Sequence, residues 1–369
     1  MSTEFKEKHN DPFLRNYWYV GALSEEVKKA EIFSRVLLNK PVIFYRKEDG
    51  TVVALENRCC HKHYPLHKGT LESDNIRCGY HGFLFNDEGR CIEVPNQDII
   101  PSNCSIKKYP CIERNNWVWI WMGDPELADP DDITDYHWLD DKNWGAKTTV
   151  FHVKANYRLI IENLLDLTHL TYVHKTTIGN SAVTLEAETK YERGENEVKI
   201  TRWMMDVQPP PAYIACGCHQ GNIDRWMIVH YAPPAFCRLY TGGTPAGTGA
   251  REGKRINEMG WRNLNAITPE SESTTHYFWG QAHNNEPGNH ELTEKVFNGV
   301  STAFKEDWEV FEEQQWSREM GAANIREIVA EADTGNVHAI RILDRLLEKQ
   351  AAGESAMVRP RDLKWGPFD

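Results

Sequence analysis

The 369-residue sequence has no run of about 18 apolar residues, so no segment reads as a membrane-spanning helix. It is short of positive charge, with 42 Lys and Arg against 54 Asp and Glu. The resulting net charge of −12 disfavours nucleic acid as a partner, because a phosphate backbone selects a basic surface. Nine cysteines, an odd number without the spacing of a disulfide framework, fit a reducing compartment. The polar start, residues 1–10, lacks the apolar core of a secretory signal, and a cytoplasmic location is expected. Internal repeats and low-complexity tracts are also missing. What is present is an ordinary globular composition rich in aromatics, with 13 Trp and 14 Tyr, which suits a large core and an aromatic-lined pocket.

The most informative stretch is 59–81. It holds two pairs, Cys59-x-His61 and Cys78-x-x-His81, separated by sixteen residues. Two thiolates and two imidazoles suit either a zinc ion or a [2Fe–2S] cluster with mixed ligation. The context separates the two. Asn57-Arg58 before the first pair, Pro65-Leu66 and Gly69 between the pairs, and Tyr80-His81-Gly82-Phe83 at the second resemble the Rieske ferredoxin signature. That resemblance implies Cys59, His61, Cys78 and His81 as cluster ligands, with the cysteines on one iron and the histidines on the other. It departs at Cys60, where the family usually has proline. Cys60 is a rival for Cys59, but its adjacency to His61 breaks the Cys-x-His spacing, so Cys59 is taken as the ligand. Cys216-Gly-Cys218-His219 lacks a second pair and reads as sheet packing.

Around the pairs, residues 1–145 read as short strands. Asp49-Gly50 and Asn86–Gly89 mark turns, and 116–122 alternates Trp117, Trp119 and Trp121 with Val118, Ile120 and Met122, a strand buried on both faces. The Pro- and Asp-rich stretch 123–132 reads as a linker. Residues 146–369 differ: helix over about 157–172, strands within roughly 184–284, then helices over about 291–315 and 324–350. Strands and helices segregated in this way give an α+β class.

A second constellation lies in the first of these helices. Asn163, Asp166 and His169 recur three apart and share a stripe among leucines, and His174 follows five residues later. Both histidines reach one metal only if the helix ends or loosens near Leu170. In the long helix, Asp307 falls on the apolar stripe of Val296, Val300, Phe304 and Phe311, while Glu306 lies mostly off it. A carboxylate on a buried face needs a partner, and two histidines plus one carboxylate suit an open iron site.

The Asn-x-x-Asp-x-x-His-x-x-x-x-His pattern downstream of a Rieske motif resembles the Rieske non-heme iron oxygenases. With 16–20, 268–270 and 278–280, it is similar to the vanillate O-demethylase, dicamba monooxygenase and toluenesulfonate methyl-monooxygenase group. The resemblance implies an all-β Rieske domain followed by a helix-grip (START-like) catalytic domain built on an antiparallel sheet. It implies His169, His174 and Asp307 as ligands of a mononuclear Fe(II). Asn163 and Asp166 become catalytic candidates, Asp166 as the bridge to a cluster histidine of a neighbouring subunit in a homotrimer. O2 is the implied co-substrate, an NAD(P)H-dependent reductase or ferredoxin the electron donor, and hydroxylation or O-demethylation of an aromatic acid, ether or sulfonate the reaction. Ring cis-dihydroxylation is the competing chemistry, and a Rieske electron carrier the non-enzyme alternative. Arg238 and Asn265 are expected to line the substrate pocket, and Arg58, Lys62, Lys68 and Arg77 to form a basic patch where the donor docks.

Overall fold

The computed structural model describes residues 11–179, 182–185, 187–217, 221–254 and 257–364. The polar start at 1–10, together with Cys218 and His219, lies outside these residues. The chain divides into two compact units, Arg15–Ile133 and the residues from Thr134 onward joined by 11–14. The division precedes the expected 145/146 boundary because 134–144 belong with the larger unit's core. Tyr136 donates its hydroxyl to the Asn265 carbonyl at 2.8 Å, and Trp138 meets Tyr240 edge-on at 5.6 Å. Phe13 joins the same unit, packing on Tyr157 and accepting a hydrogen bond from Gln350.

The smaller unit is all-β among its described residues, in sheets of three, four and four strands. Trp117–Trp121 is the central strand of the three-stranded sheet, between Trp18–Leu23 and Cys111–Arg114. All five of its residues are buried, as the apolar alternation predicts. The Asp49-Gly50 turn joins Lys40–Arg46 to Val52–Glu56, with Asp49 accepting from the Thr51 N–H at 2.8 Å. The 123–132 stretch forms two short 3-10 turns, each capped by the Asp that precedes a proline.

The larger unit is built on one antiparallel sheet. Among the described residues its strand order is Gly145–Val153, Thr275–His283, Met259–Pro269, Phe236–Pro245, Ile223–Ala232, Val198–Val207 and Glu188–Arg193. Ile223–Ala232, Met259–Pro269 and Thr275–His283 are buried along their whole length. The helix His290–Glu319 packs on one face, where Phe297 and Phe304 stack on Trp279 at 4.8 and 4.6 Å. Asn289 caps its start by accepting from the Leu292 N–H, and Gly321, at φ 111°, follows its end. The helix predicted from 324 begins only at Thr334 and runs to Ala351. The β-branched Ile325, Ile328 and Val329 precede it in exposed, non-helical chain.

Candidate metal centres and the cavity between helix and sheet

In the smaller unit the two ligand pairs sit on matching turns. The Cys59 N–H donates to the Tyr64 carbonyl at 2.9 Å, and the Cys78 N–H to the Phe83 carbonyl at 2.8 Å. Each turn buries its cysteine, 2% and 3% exposed, and leaves its histidine outside. The two imidazoles approach to 4.6 Å between ring centres. Glycine allows the turns to meet, since a Cβ on Gly69 would stand 2.1 Å from the Arg77 carbonyl oxygen and one on Gly79 2.5 Å from that of Lys68. Burial pushes the Cys59 thiol up to about 11, while the His61 and Lys62 N–H groups point at its sulfur and Cys78 is its thiol neighbour. Two buried, adjacent sulfurs ionise together only beside a cation, so this donor set fits a metal cluster. Cys60 turns away, its Sγ 3.3 Å from that of Cys104. His67 is tied to Asn57 through both its ring and its backbone N–H.

The second constellation forms in the larger unit by a break in the helix. Helix Tyr157–Leu165 stops at Asp166, whose backbone is extended and whose carboxylate accepts from the Thr168 N–H at 2.9 Å and hydroxyl at 2.8 Å. That side chain caps a new 3-10 turn, Leu167–Thr171. The break therefore precedes His169, earlier than the expected loosening near Leu170. It brings His169 and His174 to the same oxygen of Asp307, with Nε2 of each 3.5 and 3.1 Å from Oδ1. His174 is fully buried and Asp307 nearly so.

The outer nitrogens are also held. His169 Nδ1 lies 2.5 Å from the Asp166 carbonyl, and His174 Nδ1 lies 2.6 Å from Glu306 Oε2. With Nδ1 protonated and engaged, each ring turns its Nε2 lone pair toward the shared point, the orientation a metal-binding imidazole needs. Burial lowers the His169 pKa, with Asp307 opposing it. Burial also acts to lower His174, but Asp307 and Glu306 outweigh it and raise that group. Asn163 donates to Asp307 Oδ1 at 3.1 Å. One ligand atom from each of His169, His174 and Asp307 lies within 4.8 Å of the others, a donor set that fits one divalent iron with open positions. Glu306, placed off the apolar stripe by the sequence, is one residue that sequence reasoning missed.

A cavity between the long helix and the sheet opens onto this triad, walled by Leu167, Leu170, Met227, Leu239, Val300 and Phe304. Its polar wall comes from one face of the sheet: Arg225, Thr241, Asn263 and Gln281. Thr241 and Tyr213 share a hydroxyl–hydroxyl bond, and Asn263 donates to Gln281 at 3.2 Å. Arg225 is different. It is 2% exposed, and its Nε and Nη1 have no hydrogen-bond partner among the described residues. The Tyr213 ring, 5.3 Å from its guanidinium carbon, is worth about 2 kcal/mol when desolvated, less than the several kcal/mol that burying an ion costs.

The two expected pocket residues fall elsewhere. Arg238 sits between Leu239 and Cys237 on its strand and faces away from the cavity that Leu239 and Thr241 line. Asn265 is fully buried and internally satisfied, donating to Cys237 and Asn263 and accepting from the Tyr277 hydroxyl at 2.8 Å. Both expectations came from segment position, which reveals neither the face that Arg238 takes nor that the amide of Asn265, on the same face as Asn263, is spent on internal hydrogen bonds.

Residues 17–110 match the family described as Rieske [2Fe-2S] domain, and 153–349 the family described as Vanillate O-demethylase oxygenase C-terminal domain. The chain belongs to the vanillate O-demethylase oxygenase family. It is 44% identical over 345 residues to the iron-sulfur subunit of the toluene-4-sulfonate monooxygenase system of Comamonas testosteroni, covering 92% of this chain and 99% of that protein. It is 35% identical to a vanillate O-demethylase oxygenase subunit of Pseudomonas, over 94% and 98% of the two chains. The crystal structure of dicamba monooxygenase bound to dicamba matches with a TM-score of 0.84 at 30% identity, over 93% and 99% of the chains. The chain is thus an oxygenase component with an N-terminal [2Fe–2S] domain. Among the described residues no helix is long and apolar enough to cross a membrane.

Proposed function

We propose that this chain is the terminal oxygenase of a monooxygenase system that hydroxylates or O-demethylates an aromatic acid, ether or sulfonate. The observation that carries the reading is the triad of His169, His174 and Asp307 at the end of a largely apolar cavity. Those three residues would hold a ferrous ion, and Cys59, Cys78, His61 and His81 the cluster. When bound, the two groups supply electron relay and dioxygen activation. The protein's own part is positional. Asp166 and Glu306 fix the imidazoles through Nδ1, Asn163 orients the Asp307 carboxylate, and the apolar wall places an aromatic ring while excluding water.

Asp166 is proposed as the bridge to a cluster histidine of a neighbouring copy in a homotrimer. Two observations support this. Its carboxylate is about one-fifth exposed and lies 3.7 Å from the buried Arg202, while its carbonyl holds His169. It also lines a groove bordered by Arg318, Glu327, Ile328 and Val329, where Ile328 is 97% and Val329 63% exposed. Exposed β-branched residues around an ionic groove suit a subunit interface. A reductase or ferredoxin would meet the smaller unit. Of its four basic residues near the cluster, Arg77 is paired with Glu72 and Glu93 and Arg58 with Glu56, while Lys62 and Lys68 stand exposed.

The test is oxygen uptake and formaldehyde release with a panel of methoxybenzoates, methylbenzoates and aryl sulfonates, driven by a ferredoxin–reductase pair. Substrate-dependent uptake with a hydroxylated or demethylated product is expected. A fully iron-loaded, reducible enzyme that consumes no oxygen with any member would overturn the reading.

A further inference from the structure

We infer that Arg225 is the anchor for an anionic group, a sulfonate or carboxylate, on the aromatic substrate, and that it makes the enzyme select anionic over neutral aromatics. This rests on reading the cavity as the substrate pocket. The strand Ile223–Ala232 alternates its side chains, so Arg225 and Met227 face the cavity together while Trp226 and Ile228 face away. Across the sheet Arg225 pairs with Gly243, so no side chain on that neighbour competes for the guanidinium.

Two other buried arginines of this unit are answered by the protein. Arg202 has Asp166 at 3.7 Å, and Arg262 lies over the rings of Trp144 and Tyr240 and donates to the Trp261 carbonyl. Arg225 has neither a hydrogen bond nor an ion pair among the described residues, only the Tyr213 ring. The acid that lines the cavity is Asp307, already engaged by both histidines and Asn163. A cationic fork with free N–H groups, set on the sheet beside the neutral Thr241, Asn263 and Gln281, matches a planar carboxylate or a sulfonate, and the apolar part of the wall accepts the ring. An anion held there keeps the ring in the cavity that the triad also lines.

The experiment measures dissociation constants by calorimetry on the cluster- and iron-loaded enzyme. The probes are toluene-4-sulfonate and vanillate with their neutral amides, toluene-4-sulfonamide and vanillamide. The wild type should bind each anion at least about 30-fold more tightly than its amide, the scale of a desolvated charge-assisted contact. In Arg225→Met this discrimination should collapse toward one, and Arg225→Lys should restore part of it, an outcome that a merely structural arginine does not produce. Iron content and the cluster's paramagnetic resonance verify that each variant is folded. Should Arg225→Met fail to fold, Arg225→Lys and the wild-type preference decide. Equal wild-type affinity for anion and amide, or undiminished discrimination in a folded variant, overturns the assignment of Arg225 alone. Absence of any aromatic binding to fully loaded wild type overturns the pocket reading as well.

Discussion

Asp307 draws its neighbourhood together because a carboxylate on a buried helix face must be compensated: Asn163 donates to Oδ1, and Nε2 of both histidines faces the same atom. Glu306 acts one atom further out. Its carboxylate accepts from His174 Nδ1 and from the Thr177 hydroxyl, which fixes the ring and raises its basicity as a ligand. Glu306→Ala is therefore expected to lower iron affinity about 10- to 100-fold while leaving the cluster signal intact. Iron retained through gel filtration against a chelator measures this, and unchanged retention would remove Glu306 from the site. At the cluster, Cys78→Ala should abolish the brown colour, whereas Cys60→Ala should keep it because Cys60 faces Cys104. Loss of the cluster in Cys60→Ala with retention in Cys59→Ala would reverse the ligand assignment.

At the scale of elements, the iron site depends on a helix that stops. An uninterrupted helix separates His169 from His174 by most of half a turn, and the Asp166 cap replaces it with a 3-10 turn and a loop closed at Gly179. The Gly179 N–H donates to the His174 carbonyl at 3.0 Å, and a Cβ there would stand 2.0 Å from the Leu170 carbonyl oxygen. Gly179→Ala must therefore move the backbone carrying both histidines. It should lower the melting temperature and the iron content together, while Gly288→Ala, whose Cβ meets nothing within 4 Å, should change neither. Normal iron content in Gly179→Ala would show that the loop can shift without disturbing the triad.

The same element shows what the sequence could and could not reveal. The triad was legible because two histidines sit in one short segment and Asp307 interrupts an apolar stripe. Glu306 was hidden one position off that stripe, since periodicity reports burial and not which neighbour a long side chain reaches. Arg225 was hidden for a different reason. Its strand is buried at every position, so alternation gives two faces without saying which one the long helix covers.

Across the whole molecule, the chain pairs a [2Fe–2S] domain with a sheet-and-helix unit whose cavity ends at two histidines and an aspartate. The two cysteine–histidine pairs were readable because all four residues lie within one stretch of chain, and the fold class because strands and helices are segregated. The 133/134 division was not, because the residues that follow it join the larger core only through distant partners such as Asn265. The account requires two distinct iron sites in one chain, and total iron with paramagnetic resonance on wild type and Asp307→Ala tests this most directly. Wild type should hold about three iron atoms per chain, and Asp307→Ala about two with an unaltered reduced-cluster spectrum. A wild-type content of about two, unchanged in Asp307→Ala, would contradict the oxygenase and leave a Rieske electron carrier.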